Sequence, residues 1–341
     1  MIVRSKAPLR IGLAGGGTDV SPYSDLYGGA ILNATIDLYA YASLEPLNNG
    51  KIEFVIDGTL HKIVLNSDLE LEMVEGFELF IGVYNRVVKE FNCGAKSFRL
   101  TSYIDVPQGS GLGTSSTIVV SLLGAFVEWL KLPLGKYDIA HLAYEIERKD
   151  LKMSGGKQDQ YAATFGGINF IEFLSNDRVI VNPLSLKNEV VYELEMCLLL
   201  YFTKTQRLSA QIIDDQVKNV NSKNTNAIEA MHHLKEQAIL MKEFLMKGEL
   251  NSIGENLHQG WENKKKMANS ITNNFIDEIY TSAINSGASG GKISGAGGGG
   301  FMFFYCPKVS KVNVGMTLTK MGGNVQSFKF TKNGLTTWIS I

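Results

Sequence analysis

Several things are scarce in this chain, and each scarcity closes off a class of protein. Cysteine occurs three times, at Cys93, Cys197 and Cys306, far apart and never as CxxC, which excludes a disulfide framework or a cysteine zinc site and fits thiols kept reduced. Net charge is almost nil: 33 Lys and Arg against 34 Asp and Glu leave −1, so bulk charge does not attach this chain to nucleic acid or to an acidic membrane. The five histidines (His61, His141, His232, His233, His258) show no metal spacing and no nucleophile partner. No apolar run is long enough to span a bilayer; the best candidate, Ser116 to Leu130, is short and interrupted by Gly and Glu. The opening MIVRSKAPLRIGLAGGG lacks the apolar stretch and cleavage site of a secretory leader, so a cytoplasmic location is expected. There is no internal repeat and no low-complexity tract. At 341 residues with 45% apolar side chains, the chain is long enough for two domains with real cores.

Glycine, by contrast, is abundant. There are 35, about one residue in ten against an average near 7%. About half fall in tight clusters at 15–17, 109/111/113, 155–156, 166–167, 290–291 and 295/297–300. Each cluster abuts an apolar segment, which is the pattern of close backbone approach or positive φ and not of a flexible linker.

Apolar periodicity predicts strands over 6–13, 29–45, 51–65, 95–105, 167–173, 190–202 and 301–305, with Asn48-Asn49-Gly50 as a hairpin turn between the second and third. Helices are predicted over 77–92, 114–130, 138–151 (Asp138 as N-cap), 209–247, 250–267 and 272–286, with a helix and a strand closing the chain. The text turns mainly helical near 205, which places a domain boundary there and gives units of 1–205 and 206–341.

The most informative segment is Pro107-Gln-Gly109-Ser110-Gly111-Leu112-Gly113-Thr114-Ser115-Ser116, which opens a helix. Alternating glycines let backbone N–H groups converge, and three hydroxyls follow on the helix N-terminus, where unsatisfied N–H groups and the dipole favour phosphate. A capped helix after an ordinary turn needs one such hydroxyl, not three. This loop fits neither Walker A nor GxGxxG, since Thr114 and Ser116 stand where a third glycine belongs, and the protein-kinase HRD and DFG signatures are absent. A second block, Lys292-Ile-Ser-Gly-Ala-Gly-Gly-Gly-Gly300, precedes the strand 301–305 and reads as a loop packing on a ligand or on the first loop. Among acidic residues, Glu147 lies at the edge of the stripe Ile139, Leu142, Ala143, Ile146, where a metal or a salt bridge would serve it; Glu145 faces the other way. Asp159 sits in Gly155-Gly-Lys-Gln-Asp-Gln160, either as a turn residue or as a functional carboxylate. Lys264-Lys-Lys266 reads as a solvated helix face.

Together these blocks resemble the GHMP small-molecule kinases over nearly the whole chain, in three motifs: Ala7 to Asp19, Pro107 to Ser115, and Lys292 to Gly300. The resemblance implies an α+β fold with two parts: an N-terminal domain with a left-handed βαβ crossover and a ferredoxin-like C-terminal domain. The site would lie between them, with ATP and Mg²⁺ as cofactors. It implies Asp159 as catalytic aspartate faced by Arg10, residues 107–116 on the ATP phosphates, and Ser115 with Glu147 on Mg²⁺. Gly16, Gly17, Thr18, Asp19, Gly297 and Gly298 would meet the substrate, and Arg207, in the loop Thr203 to Ser209, would supply a cation for a substrate phosphate. Within the family, LRIGLAGGGTDVSPYSDLYGGAILNATID resembles the heptose phosphate kinases, which implies transfer to the anomeric hydroxyl of a heptose 7-phosphate. The L-fucose kinases share much of the pattern and are the alternative, and a nucleotide-binding relative without catalysis is a second. The partner implied is a small sugar phosphate, with neither nucleic acid nor membrane.

Overall fold

The computed structural model describes residues 1–58, 61–205 and 209–340. Twelve strands lie among these residues: β1 (Ile2–Ala14), β2 (Gly29–Pro46), β3 (Lys51–Ile56), β4 (Lys62–Asn66), β5 (Phe98–Ile104), β6 (Ile168–Phe173), β7 (Val179–Pro183), β8 (Leu198–Phe202), β9 (Gly290–Ile293), β10 (Phe301–Tyr305), β11 (Asn324–Gln326) and β12 (Thr336–Ser340). They form two sheets. The larger runs β12-β1-β2-β5-β3-β4, with β6 and β7 branching from the far end of the long strand β2. The smaller runs β11-β8-β10-β9, antiparallel throughout. Numbered within that sheet the order is 4-1-3-2, the ferredoxin-like arrangement, so the α+β expectation holds for both lobes.

The expected boundary at 205 cuts the chain in the wrong place. It leaves β8 with the first unit, although β8 is a central strand of the second sheet and pairs with β10 from Phe202↔Phe301 to Leu198↔Tyr305. The chain also returns at its end: β12 pairs with β1 from Ile2↔Ser340 to Lys6↔Thr336 and closes an edge of the first sheet. The change in helix content near 205 marks where helices begin to cover the second sheet, not where that sheet starts.

Three other expectations change. β2 and β3 are not a hairpin: β5 lies between them, antiparallel to β2 and parallel to β3. Asn48-Asn49-Gly50 does reverse the chain, but the turn wraps the start of β5, with Leu47 N–H donating to Ser97 O at 2.9 Å. A turn signal fixes the reversal and not which strand fills the place beside it; Phe98 and Leu100 of β5 fill it by completing the core over Phe54. The stretch 190–202 is a helix, Asn188–Cys197, followed by β8. Its buried residues Val190, Leu194 and Cys197 recur at i, i+4, i+7, which is helical spacing. The predicted 209–247 helix is two, Ser209–Asn221 and Thr225–Lys247.

The helix Thr114–Leu130 is buried on most sides, as its composition predicts, and packs with Glu78–Phe91 over the first sheet. A single apolar cluster joins Leu9, Ile11 and Leu32 of that sheet to Leu200, Phe301 and Phe303 of the other, so the lobes share a core. Above this core the two glycine loops lie back to back. Phe301 N–H donates to Ser110 O at 2.8 Å. Gly111 has φ +83°, and a Cβ there would come 2.4 Å from the carbonyl oxygen of Ser294. No helix among the described residues is long and apolar enough to cross a membrane.

Gly111→Ala is therefore expected to lower the unfolding free energy by ~2 kcal/mol or more, from left-handed strain of ~1–2 kcal/mol plus displacement of the facing loop. Gly109→Ala, with φ +73° and nothing within 4 Å of its Cβ, should cost the backbone part alone. Urea denaturation of both variants checks this; equal losses would mean that the two loops are not interlocked.

Candidate active site

A cleft of about 500 Å³ opens where the glycine loops meet. Three elements supply its chemistry: the end of β1 with the turn after it, the N-terminus of the helix Thr114–Leu130, and the segment from Glu147 to Asp159.

Arg10 lies on β1 and is buried. Its Nε donates to Asp159 Oδ1 at 2.7 Å, its Nη1 to Gly111 O at 2.7 Å and more distantly to Ser294 Oγ at 3.4 Å. Asp159 lies in the first turn of the helix Gln158–Phe165 and not in an irregular turn. Its Oδ2 lies 3.2 Å from the place a Cβ would take on Gly113, so the carboxylate sits against the first glycine loop. The helix Thr114–Leu130 has no side-chain cap and no acidic residue in its first turn. Its first N–H groups have no intrahelical partner, and they face the cleft with Gly113, Thr114, Ser115 and Ser116.

Glu147 is fully buried. The α-helix Lys136–Glu145 continues as a π-helical turn, Ile146–Asp150, with Leu151 N–H bonding Ile146 O. π turns re-aim side chains and recur at functional sites; here the extra residue per turn carries Glu147 from the stripe edge into the interior. Asp138 is the N3 residue of this helix and accepts from Gly135 N–H at 2.8 Å. Gln160 Nε2 donates to Glu147 Oε2 at 2.5 Å and to Ser116 Oγ at 3.1 Å, while Glu147 Oε1 has no hydrogen bond. Burial pushes the Glu147 carboxyl above the usual carboxylate range, against the pull of Arg148. A buried oxygen with no hydrogen bond, its nearest cation Arg148 Nη1 at 3.6 Å, beside a hydroxyl at the first glycine loop, is a hard-oxygen donor set of the kind Mg²⁺ uses when phosphates complete its shell. No cluster of three His, Cys, Asp or Glu among the described residues would hold a metal unaided.

Asp19 is also buried, accepting from Gln158 N–H at 3.0 Å and Gly17 N–H at 3.3 Å. Burial, then the nearby Asp159, raises its pKa. Gly16 and Gly17 line the cleft with it. Other expected contacts lie elsewhere. Thr18 is buried in the turn, its hydroxyl donating to Gly15 O and Ala30 O. Gly298 N–H bonds Ile271 O, and Gly297 packs on Ile271; Gly295 and Ala296 line the cleft in their stead. Pro107 is exposed, and Leu112 is a core residue whose carbonyl accepts from Arg10 N–H. Ser110 is buried behind the loop. The hydroxyl brought to Glu147 is that of Ser116, with Ser115 lining the cleft one position earlier. Arg207 lies outside the described residues.

Two cations join the cleft from the second lobe. Lys264, expected on a solvated helix face, is instead 2% exposed and lines the cleft. The helix Ile253–Met267 buries Ile253, Leu257, Gly260, Trp261, Lys264 and Met267, so Lys264 occupies an inward position of an ordinary helical stripe. That spacing was in the sequence, hidden by the neighbouring lysines. Lys292, on β9, is 3% exposed and lines the same corner. Burial, then Arg10, pushes the Lys264 ammonium down to about 8, and burial with Lys264 beside it pushes Lys292 well below the lysine range.

Comparison with known proteins bears on the family and the fold. The model of the GHMP kinases N terminal domain matches residues 78–167, and that of the GHMP kinases C terminal domain matches 241–315. The chain is 47% identical to a D-glycero-alpha-D-manno-heptose 7-phosphate kinase from Campylobacter jejuni, over 98% of both chains. It is 48% identical, over 99% of both, to the crystal structure of a D-glycero-D-manno-heptose 1-phosphate kinase from Bacteroides thetaiotaomicron, with a TM-score of 0.85. An L-fucokinase/L-fucose-1-P guanylyltransferase from Bacteroides fragilis is 27% identical over 89% of this chain and 34% of its own length.

The buried Lys264 charge should tax stability. Its proton is held less tightly in the folded chain than in the unfolded one, so wild-type stability rises with pH from about 8 towards ~10.4, the ordinary lysine value. Lys264→Met is expected to melt above wild type near pH 7, by roughly 2–4 °C per kcal/mol recovered. The gap should narrow as the pH passes about 8. Scanning calorimetry from pH 7 to 10 checks this; a variant that melts lower at pH 7 would mean that the ammonium is satisfied in the free protein.

Proposed function

The chain belongs to the GHMP kinase family, and we propose that it transfers the γ-phosphate of ATP to the anomeric hydroxyl of D-glycero-D-manno-heptose 7-phosphate, giving the 1,7-bisphosphate. The observation that carries the acceptor is the 47% identity, end to end, with a heptose 7-phosphate kinase. A product phosphorylated at both C1 and C7 is also consistent with the similar protein named for the 1-phosphate. The fucokinase alternative is weaker at 27% identity. A non-catalytic relative would have no need to keep Arg10, Glu147 and Asp159 converged on one cleft. ATP and phosphorylated sugars are reagents of the cell interior, so we assign the enzyme to the cytoplasm, serving nucleotide-activated heptose synthesis for surface glycans.

In this reading the free N–H groups at 113–116 hold the ATP phosphates, and the flanking glycines let the backbone come close. Arg10 fixes Asp159 through Oδ1, which leaves Oδ2 for the acceptor hydroxyl. Asp159 orients that hydroxyl and takes its proton as the oxygen bonds to the γ-phosphorus; the bond from that phosphorus to the ADP oxygen breaks, and ADP leaves. Asp19, Gly16 and Gly17 line the acceptor corner. Glu147 with the hydroxyls of Ser115 and Ser116 would hold Mg²⁺, oriented by Gln160. Bound there, Mg²⁺ offsets phosphate charge.

Steady-state kinetics with separate titrations of acceptor, ATP and Mg²⁺ tests these roles. Asp159→Asn should lower kcat by about 10²–10⁴-fold with MgATP affinity little changed. Glu147→Gln should raise the Mg²⁺ requirement, so that excess Mg²⁺ restores part of the rate. An Asp159→Asn enzyme near wild-type rate would sink the mechanism. Equal or better turnover of free L-fucose or galactose would overturn the acceptor.

A further inference from the structure

The mechanism above leaves two ammonium groups without a task. Lys264 and Lys292 come from different elements of the second lobe, a helix and a strand, and meet in front of Gly16. A Cβ on Gly16 would find Lys264 Nζ at 3.7 Å and Lys292 Nζ at 3.9 Å, and no third neighbour within 4 Å. Both side chains are all but inaccessible.

Neither has a carboxylate partner among the described residues. Lys264 Nζ donates to the carbonyl of Gly295, and Lys292 has the ring of Phe303 at 6.0 Å. The nearby acids are already engaged: Asp159 by Arg10, and Asp19, whose charge favours the Lys264 ammonium without forming an ion pair with it, by the N–H groups of Gln158 and Gly17. A third buried lysine shows how this chain treats an ammonium it neutralises itself. Lys157 lies between Asp25 at 2.8 Å and Asp177 at 2.9 Å. Two like charges buried side by side without a counter-ion are costly, and the arrangement makes sense where a ligand brings the negative charge.

We propose that Lys264 and Lys292, with the backbone of Gly16 leaving room between them, form the seat for the phosphate that the acceptor sugar already carries. A phosphate dianion accepts from both ammonium groups at once, and a free sugar leaves both unpaired; the corner thus selects a phosphorylated acceptor. The inference rests on reading the acceptor as a sugar phosphate. The same chemistry would suit the γ-phosphate of ATP, and the experiment separates the two sources.

The enzyme is saturated with Mg²⁺ and a non-hydrolysable ATP analogue, which fills the γ-phosphate position, and is then titrated calorimetrically with inorganic phosphate. Wild type should bind phosphate. Lys292→Met and Lys264→Met should bind it ~10-fold or more weakly, with affinity for the analogue unchanged and folding intact by melting temperature. With heptose 7-phosphate as acceptor, each variant should raise the acceptor KM far more than it lowers kcat, and should lose preference for the phosphorylated over the free sugar. No phosphate binding to the analogue-loaded wild type, or substitutions that weaken the analogue and spare phosphate, would overturn the seat. A wild type that binds phosphate in this way but does not turn over heptose 7-phosphate would overturn the acceptor reading and leave the seat standing.

Discussion

Arg10 is the side chain on which the site depends. From the middle of β1 it reaches Asp159 on one helix and Gly111 of the phosphate loop, and approaches Ser294 beside the second glycine loop, while its own backbone N–H bonds Leu112. Three segments distant in sequence from β1 are thus referred to one guanidinium. Its planar fork suits this, since each N–H points in a fixed direction. The ion pair with Asp159 is mostly out of water, so removing either partner would strand the other charge at a cost of several kcal/mol. The pair holds the carboxylate in one orientation at the phosphate loop.

Around that pair the cleft carries more buried charge than its own partners satisfy. Asp19 and Glu147 are driven towards protonation by burial, and Lys264 and Lys292 towards neutrality. Free, the site is an uncomfortable arrangement. With phosphates and a divalent cation bound as proposed, Glu147, Lys264 and Lys292 would each gain a counter-charge. Stability given up in the free protein would then be recovered on binding, which is how a pre-organised electrostatic site differs from an ordinary core.

Holding such a site needs lobes that do not drift. The shared apolar cluster and the contact between the glycine loops tie the two sheets together, and the chain leaving β11 of the second sheet returns to pair β12 with β1 in the first. The glycines are functional through what they lack: with side chains, the loops could not approach closely enough to share the wall of one cleft.

Local pattern determined a good deal of this. The helix at 114–130 and the exposed N–H groups before it follow from an apolar run behind three alternating glycines, short-range properties written in neighbouring residues. The same local pattern leaves Glu147 between a metal and a salt bridge and Asp159 between a turn and a functional carboxylate; their roles are implied by the resemblance to the GHMP kinases. What tertiary structure alone decided is long-range. Which strand lies beside β2, that β8 belongs with β10, and that β12 closes on β1 are choices among partners that periodicity cannot rank. The π turn that buries Glu147 breaks the 3.6-residue repeat from which its position was read. Lys264 and Lys292 stand 28 residues apart, one in a lysine run and one at a strand end, and nothing local says that they meet. A charge is assigned to solvent or to a site by what folds over it, and that is settled by packing between segments remote in the chain.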